Sequence, residues 1–330
     1  FSFSIVNQGK KNYDLLWQRW VWRRWDLALI LKAPRFWPTL WLIEVTEPKI
    51  TDLGCIIITG GHGGIGRHVS KAFSADGFNV FIVGRNKKAY NDTFGKQTKH
   101  LSIEFREADI SSADEVNILY KEFRESGLKL HALINAAGVQ PPIGAFEQLD
   151  PEDWDRNLSI NLSGTVNMIR GALPFFKSSE GGKIINFSGG GATSSRPNFS
   201  AYAVSKTAVV RLTEILAEEL SEYKIDVNAV APGAINTGML DEIIEAGAQA
   251  GDEHERARKR KSEGGDPVER IVDLCRFLIS SDSDGISGKL ISAIWDDYKD
   301  AKFLERLKSD SDFCTLRRID AINFDHINWM

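Results

Sequence analysis

Residues 55–66 read Cys-Ile-Ile-Ile-Thr-Gly-Gly-His-Gly-Gly-Ile-Gly, and residues 67–76 behind them have the composition of a helix. An apolar run of strand length, a turn with five glycines in eight residues (59–66) and a helix therefore follow one another directly. Glycines let a backbone turn sharply and come close to a pyrophosphate, and the free amides and dipole of the next helix attract its charge. A glycine string alone also makes an ordinary flexible turn; the strand before it and the helix after it give this one its meaning. Thr59, Gly60, Gly61, His62, Gly64, Ile65 and Gly66 are thus candidate contacts to a dinucleotide.

Working outward, apolar runs at 79–83, 102–106, 130–134, 183–187, 226–230 and 289–292 alternate with helix-length amphipathic segments. That alternation predicts an α/β fold, a Rossmann-type doubly wound parallel sheet of about seven strands with N- and C-terminal extensions. Gly84, Arg85 and Asn86 close the second strand 24 residues beyond Gly60, where such folds carry an acid for a ribose hydroxyl or a base for a 2′-phosphate. Arg85 fits a phosphate bidentately, which favours NADP(H) over NAD(H); the alternative is a surface arginine.

The 330 residues are 42% hydrophobic and 26% charged, usage that excludes wholesale disorder and suits one large domain with extensions. A net charge of -4 supplies no chain-wide basic field for nucleic acid. Cys55, Cys275 and Cys314 form no CxxC pair, so neither a disulfide framework nor a metal site is encoded, and a reducing cytoplasm fits. Six of the nine tryptophans lie within residues 1–50, where eight Lys or Arg face four Asp or Glu. This basic extension admits an interfacial contact with anionic lipid. A fragment of something longer, or an extension with no selected role, is the stronger reading.

Asp109, the string Asn135-Ala136-Ala137-Gly138, Asn161, Tyr202 with Lys206, and Pro232-Gly233-Ala234-Ile235-Asn236-Thr237 follow in order. Together with the glycine turn they resemble the short-chain dehydrogenase/reductase family across residues 51–293. The resemblance implies an oxidoreductase that interconverts a carbonyl and a secondary alcohol of a small molecule, assembled as a homodimer or homotetramer through the long helices that hold Asn161 and Tyr202. By the same resemblance, Asp109, Ile110 and the 135–138 strand end border adenine and ribose, Pro232, Gly233 and Ile235 pass the nicotinamide, and Thr237 contacts its carboxamide or the phosphates. Asn161 then holds a water that feeds a proton relay; an asparagine that bonds helix backbone is the plainer alternative.

Independently of the family, Tyr202 and Lys206 stand four apart in a helix-forming stretch, so both project from one face. A neighbouring ammonium favours the phenolate, which lets Tyr202 serve as general acid and base. Set against this, the family's serine, 13 residues before the tyrosine, is Gly189 here. Ser188 beside it, Ser194 or Ser195, a group of the substrate, or a weakened cofactor-binding protein without turnover all remain open. Residues 238–267 occupy the place of a substrate lid, and their basic run at 256–261 suits an anionic or polyhydroxylated substrate or a solvated helix face. Residues 294–330 form a tail whose Trp295, Tyr298, Phe303, Leu304 and Leu307 predict a helix packed on the domain or on a partner subunit.

Overall fold

Ile56, Ile57 and Ile58 form the middle of strand β1 (Cys55–Thr59), all of whose residues are buried. In a computed structural model, described for residues 53–95, 101–179 and 181–318, β1 is followed by helix α1 (Gly66–Ala75) and strand β2 (Asn79–Gly84). Next come α2 (Lys87–Phe94), β3 (Ile103–Glu107), α3 (Ala113–Glu125) and β4 (Leu130–Asn135). Helix α4 (Pro151–Leu158) runs through a π turn at Ser159–Ser163 into α5 (Gly164–Ser178), before β5 (Gly182–Phe187), α6 (Ser200–Glu219) and β6 (Ile225–Ala231). Helices α7 (Gly238–Ala246), α8 (Asp252–Glu263) and α9 (Val268–Ile279), strand β7 (Leu290–Ser292) and helix α10 (Ala301–Ser309) complete the order. All seven predicted strands are present within a residue of their expected ends.

The sheet is parallel throughout, in the order β3-β2-β1-β4-β5-β6-β7. Alternate residues of each strand face opposite layers. Ile56, Ile58 and Ile82 pack with Phe73 of α1 and Leu274 and Leu278 of α9. Ile57, Phe81 and Leu133 pack with Phe123 of α3 and Met168 and Phe176 of α5. Burial of each such side chain contributes ~1.5–3 kcal/mol, and burial on both faces explains why the inner strands read as largely apolar runs. Strand order reverses between β1 and β4, which opens a crevice at the carboxyl ends of those strands.

Residues 294–318, the described part of the tail, fold onto their own domain. Asp300 caps α10 by accepting from the Lys302 and Phe303 amides, and Leu307 is buried in the first core. Beyond α10 the chain runs along the outer edge of β7. There the Leu290 amide donates to the Cys314 carbonyl at 2.7 Å, and the Lys289 ammonium donates to the carbonyls of Asp310, Ser311 and Phe313. Trp295 departs from the expected packing and is 84% exposed.

The N-terminal extension, and with it the lipid-contact reading, lies outside the described residues. Among the described residues no helix is long and apolar enough to cross a membrane, and no cluster has the makings of a metal site.

Candidate active site

At the end of β1 the chain turns through Gly60 at φ +64°, where a Cβ would lie 2.8 Å from the Cα of Ala137. Only glycine meets both demands. Thr59 has its back to the crevice: its hydroxyl accepts the Ala137 amide at 3.0 Å and so ties β1 to the end of β4. Gly61 likewise packs inward, on Ser70 and Ile82. Gly60, His62, Gly64, Ile65 and Gly66 do line the crevice, and no side chain caps the first turn of α1. Space above Gly63 is open. An uncapped helix start facing open space over glycine fits a pyrophosphate.

At one end of this cavity stand Arg85, Asp109 and Ile110. The second strand is followed by no acid in sequence, yet the fold brings Asp109 to 3.3 Å from the Arg85 guanidinium. Partial burial works against the Asp109 charge, but hydrogen bonds from Ser111 and the neighbouring Arg85 hold its carboxyl below the usual value. Ala136, Ala137 and Gly138 form the wall between, whereas Asn135 is spent on the sheet, its amide donating to Asn186 at 2.9 Å. Pro232 and Thr237 close the opposite wall; Gly233 and Ile235 turn instead to an adjoining cleft.

Tyr202 and Lys206 stand at the other end, 6% and 4% exposed, on one face of α6. The Lys206 ammonium donates to the Phe187 carbonyl at 2.9 Å and lies 5.8 Å from the centre of the Tyr202 ring. Burial lowers its pKa to about 8. For Tyr202 burial is again the largest influence and raises the hydroxyl; Arg196 pulls it down, and Glu242 adds to the rise. The balance is upward, contrary to the lowering expected from a neighbouring ammonium alone.

Asn161 sits within the π turn behind the cavity. Its amide accepts from the Val139 nitrogen at 2.8 Å and donates to the Val139 carbonyl, Asn157 and Ser205. It locks the loop after β4 to α4 and α6, and the backbone it bonds is that of the loop at Val139 rather than of a helix. A Cβ on Gly189 would fall on the Tyr202 hydroxyl, so the expected serine position is filled by the tyrosine itself. Ser188 lines the cavity with Tyr202 and Lys206, and its buried hydroxyl has no hydrogen-bond partner. Ser194 opens on the adjoining cleft.

Sequence reading missed Glu242, Met239, Gln140 and Arg196. Met239 and Glu242 share the cavity, and one oxygen of Glu242 is buried without a partner; burial, then Glu245, raises its carboxyl. Their spacing of three, one turn into a helix that begins after Thr237, was the available signal. Arg196 stacks 3.9 Å from the Phe199 ring centre and forms a bidentate pair with Glu253 at 2.6 and 2.7 Å. No local pattern marks it. Gln140 and Arg196 line the adjoining cleft, about 480 Å³, which shares Tyr202 with the first cavity.

Residues 54–247 match the family model described as short chain dehydrogenase. The D-beta-hydroxybutyrate dehydrogenase of Cupriavidus necator is 29% identical over 194 residues, 58% of this chain and 75% of that protein. The 3-oxoacyl-(acyl-carrier-protein) reductase FabG of Thermotoga maritima is 28% identical over 239 residues, 71% of this chain and 94% of its own. Among solved structures, a short-chain type dehydrogenase/reductase from Mycobacterium ulcerans matches with a TM-score of 0.64 at 27% identity, covering 74% of this chain and 88% of that one.

Proposed function

The chain belongs to the short-chain dehydrogenase/reductase family, oxidoreductases that bind NAD(P) and act on CH–OH groups, and on that premise we propose that it is an NADP(H)-dependent carbonyl reductase and alcohol dehydrogenase with Tyr202 as its general acid and base. The carrying observation is the shared cavity: it is lined by the buried Tyr202 phenol beside Lys206 and, from β2, by Arg85. Residues 60–66 would hold the pyrophosphate and Arg85 a 2′-phosphate. When bound, the nicotinamide supplies or accepts the hydride. Tyr202 gives its proton to the carbonyl oxygen in reduction and takes it back in oxidation. Lys206, anchored on the Phe187 carbonyl, sets the charge beside the phenol. Ser188, buried and unpartnered, has a donor to offer the same oxygen. A cytoplasmic location and self-association through α5 and α6 belong to the same proposal; exposed Val204 and Ile215 on α6 support the latter.

Purified protein should oxidise NADPH in preference to NADH with members of a carbonyl panel. Tyr202→Phe should lower turnover about 10²–10⁴-fold with cofactor affinity kept; undiminished turnover overturns the assignment. Gly189 favours a second reading, cofactor binding without chemistry. Tight NADPH binding by calorimetry with no turnover across carbonyls and sugars would establish that one instead.

A further inference from the structure

Helix α8 carries five basic residues, Arg256, Arg258, Lys259, Arg260 and Lys261. Three have acid partners: Arg258 with Glu255 at 4.0 Å, Lys259 with Glu263 at 3.9 Å and Lys261 with Asp241 at 2.7 Å. Arg256 and Arg260, one helical turn apart, have none among the described residues, and both line the cleft that contains Tyr202. The acids of that cleft have hydrogen-bond partners other than these two arginines. Glu253 is held by Arg196, and Asp266 accepts the Ala234 amide at 2.6 Å. Two guanidinium groups without an ion-pair partner among the described residues therefore line the cleft that also holds Tyr202. The same cleft offers apolar contact from Met239, Leu240, Ile243 and the exposed Trp295 beside polar Gln140, Thr193 and Ser194.

We propose that the substrate carries an anionic head group, a carboxylate or phosphate, which Arg256 and Arg260 grip while its carbonyl or alcohol carbon lies at Tyr202 across a short apolar spacer. This rests on the oxidoreductase reading of the same site. A guanidinium fork matches the two oxygens of such a group, and charge-assisted hydrogen bonds are the strong ones. An anion entering here also relieves the mutual repulsion of two neighbouring cations.

The test is a series of straight-chain oxo acids of increasing length, each with its methyl ester, given to the enzyme saturated with cofactor. Binding is read by calorimetry and turnover by NADPH oxidation; phosphorylated hydroxyketones form a second arm that separates phosphate from carboxylate. For the best chain length the acid should exceed its ester about 10- to 100-fold in affinity and in kcat/KM. The preference should reside mainly in KM, shrink with added salt, and collapse in Arg256→Met/Arg260→Met. Arg258→Met/Lys259→Met removes the same charge from the outward face and should keep the preference. Turnover of esters and acids alike, or equal loss of preference in both double variants, overturns the inference and spares the oxidoreductase assignment. Anion binding that needs Arg256 and Arg260 but leads to no turnover does the reverse. Absence of any charge-dependent binding across both arms overturns the inference.

Discussion

Tyr202 lies between two opposed charges, the Arg196 guanidinium 5.5 Å from its ring and the half-buried Glu242 carboxyl. A carboxylate near a phenol penalises the phenolate and so raises the pKa. Carbonyl reduction needs the protonated phenol, so its rate falls as pH rises through that pKa. Replacement of Glu242 by Gln removes one upward influence, and the alkaline limb of the pH–rate profile should move toward lower pH. Arg196→Met, by the same sign, should move it higher. Profiles of kcat/KM for the two variants check this; limbs that coincide with wild type would mean that neither charge reaches the hydroxyl. Glu242 escapes a reading of sequence because it meets Tyr202 only through tertiary folding, and Arg196, six residues before the tyrosine, stands in no pattern that marks it. Counting back from Tyr202 leads to Gly189, which lies against the Tyr202 hydroxyl. That count is blind to the phenol itself filling the place of the missing side chain.

At the scale of elements, what the chain disclosed and what it withheld follow from the same physics. Strands β1, β2, β4, β5 and β6 are largely apolar runs buried on both faces, so their composition separates them from turns, whereas the edge strand β3 is half-exposed and carries charge. Helix α8 was legible as a charged run but not as a docked element, since it buries only Ala257. Its fixture is the Arg196–Glu253 pair, 12% and 28% exposed, joining residues 57 apart. Partly buried and bidentate, that pair is worth about 1.5–3 kcal/mol. Glu253→Gln should therefore release α8, and trypsin should cut at Arg256, Arg258, Lys259, Arg260 or Lys261 roughly tenfold faster. Peptide mapping over time reads this directly, and an unchanged cleavage rate would show that other contacts seat the helix. The pairing of Arg85 with Asp109 was hidden for a similar reason: it forms only when β2 and β3 lie side by side.

Across the whole molecule, the tail makes a second use of a buried cation. Lys289 is 4% exposed, and its ammonium serves three carbonyls of residues 310–313. Lys289→Met keeps the bulk but strands those carbonyls, which should cost about 2–3 kcal/mol and lower Tm by roughly 4–12 °C. Calorimetric unfolding measures it; an unaltered Tm would mean that the tail adds nothing to the fold. The bond from Leu290 to Cys314 has a wider consequence. On the outer side of β7 the Leu290 amide is taken by that carbonyl and the Ser292 amide by the Asp296 carboxylate. An incoming peptide finds no ladder to extend at this margin, and edge-to-edge aggregation is left only the opposite flank, where Glu104 and Arg106 stud β3 with charge.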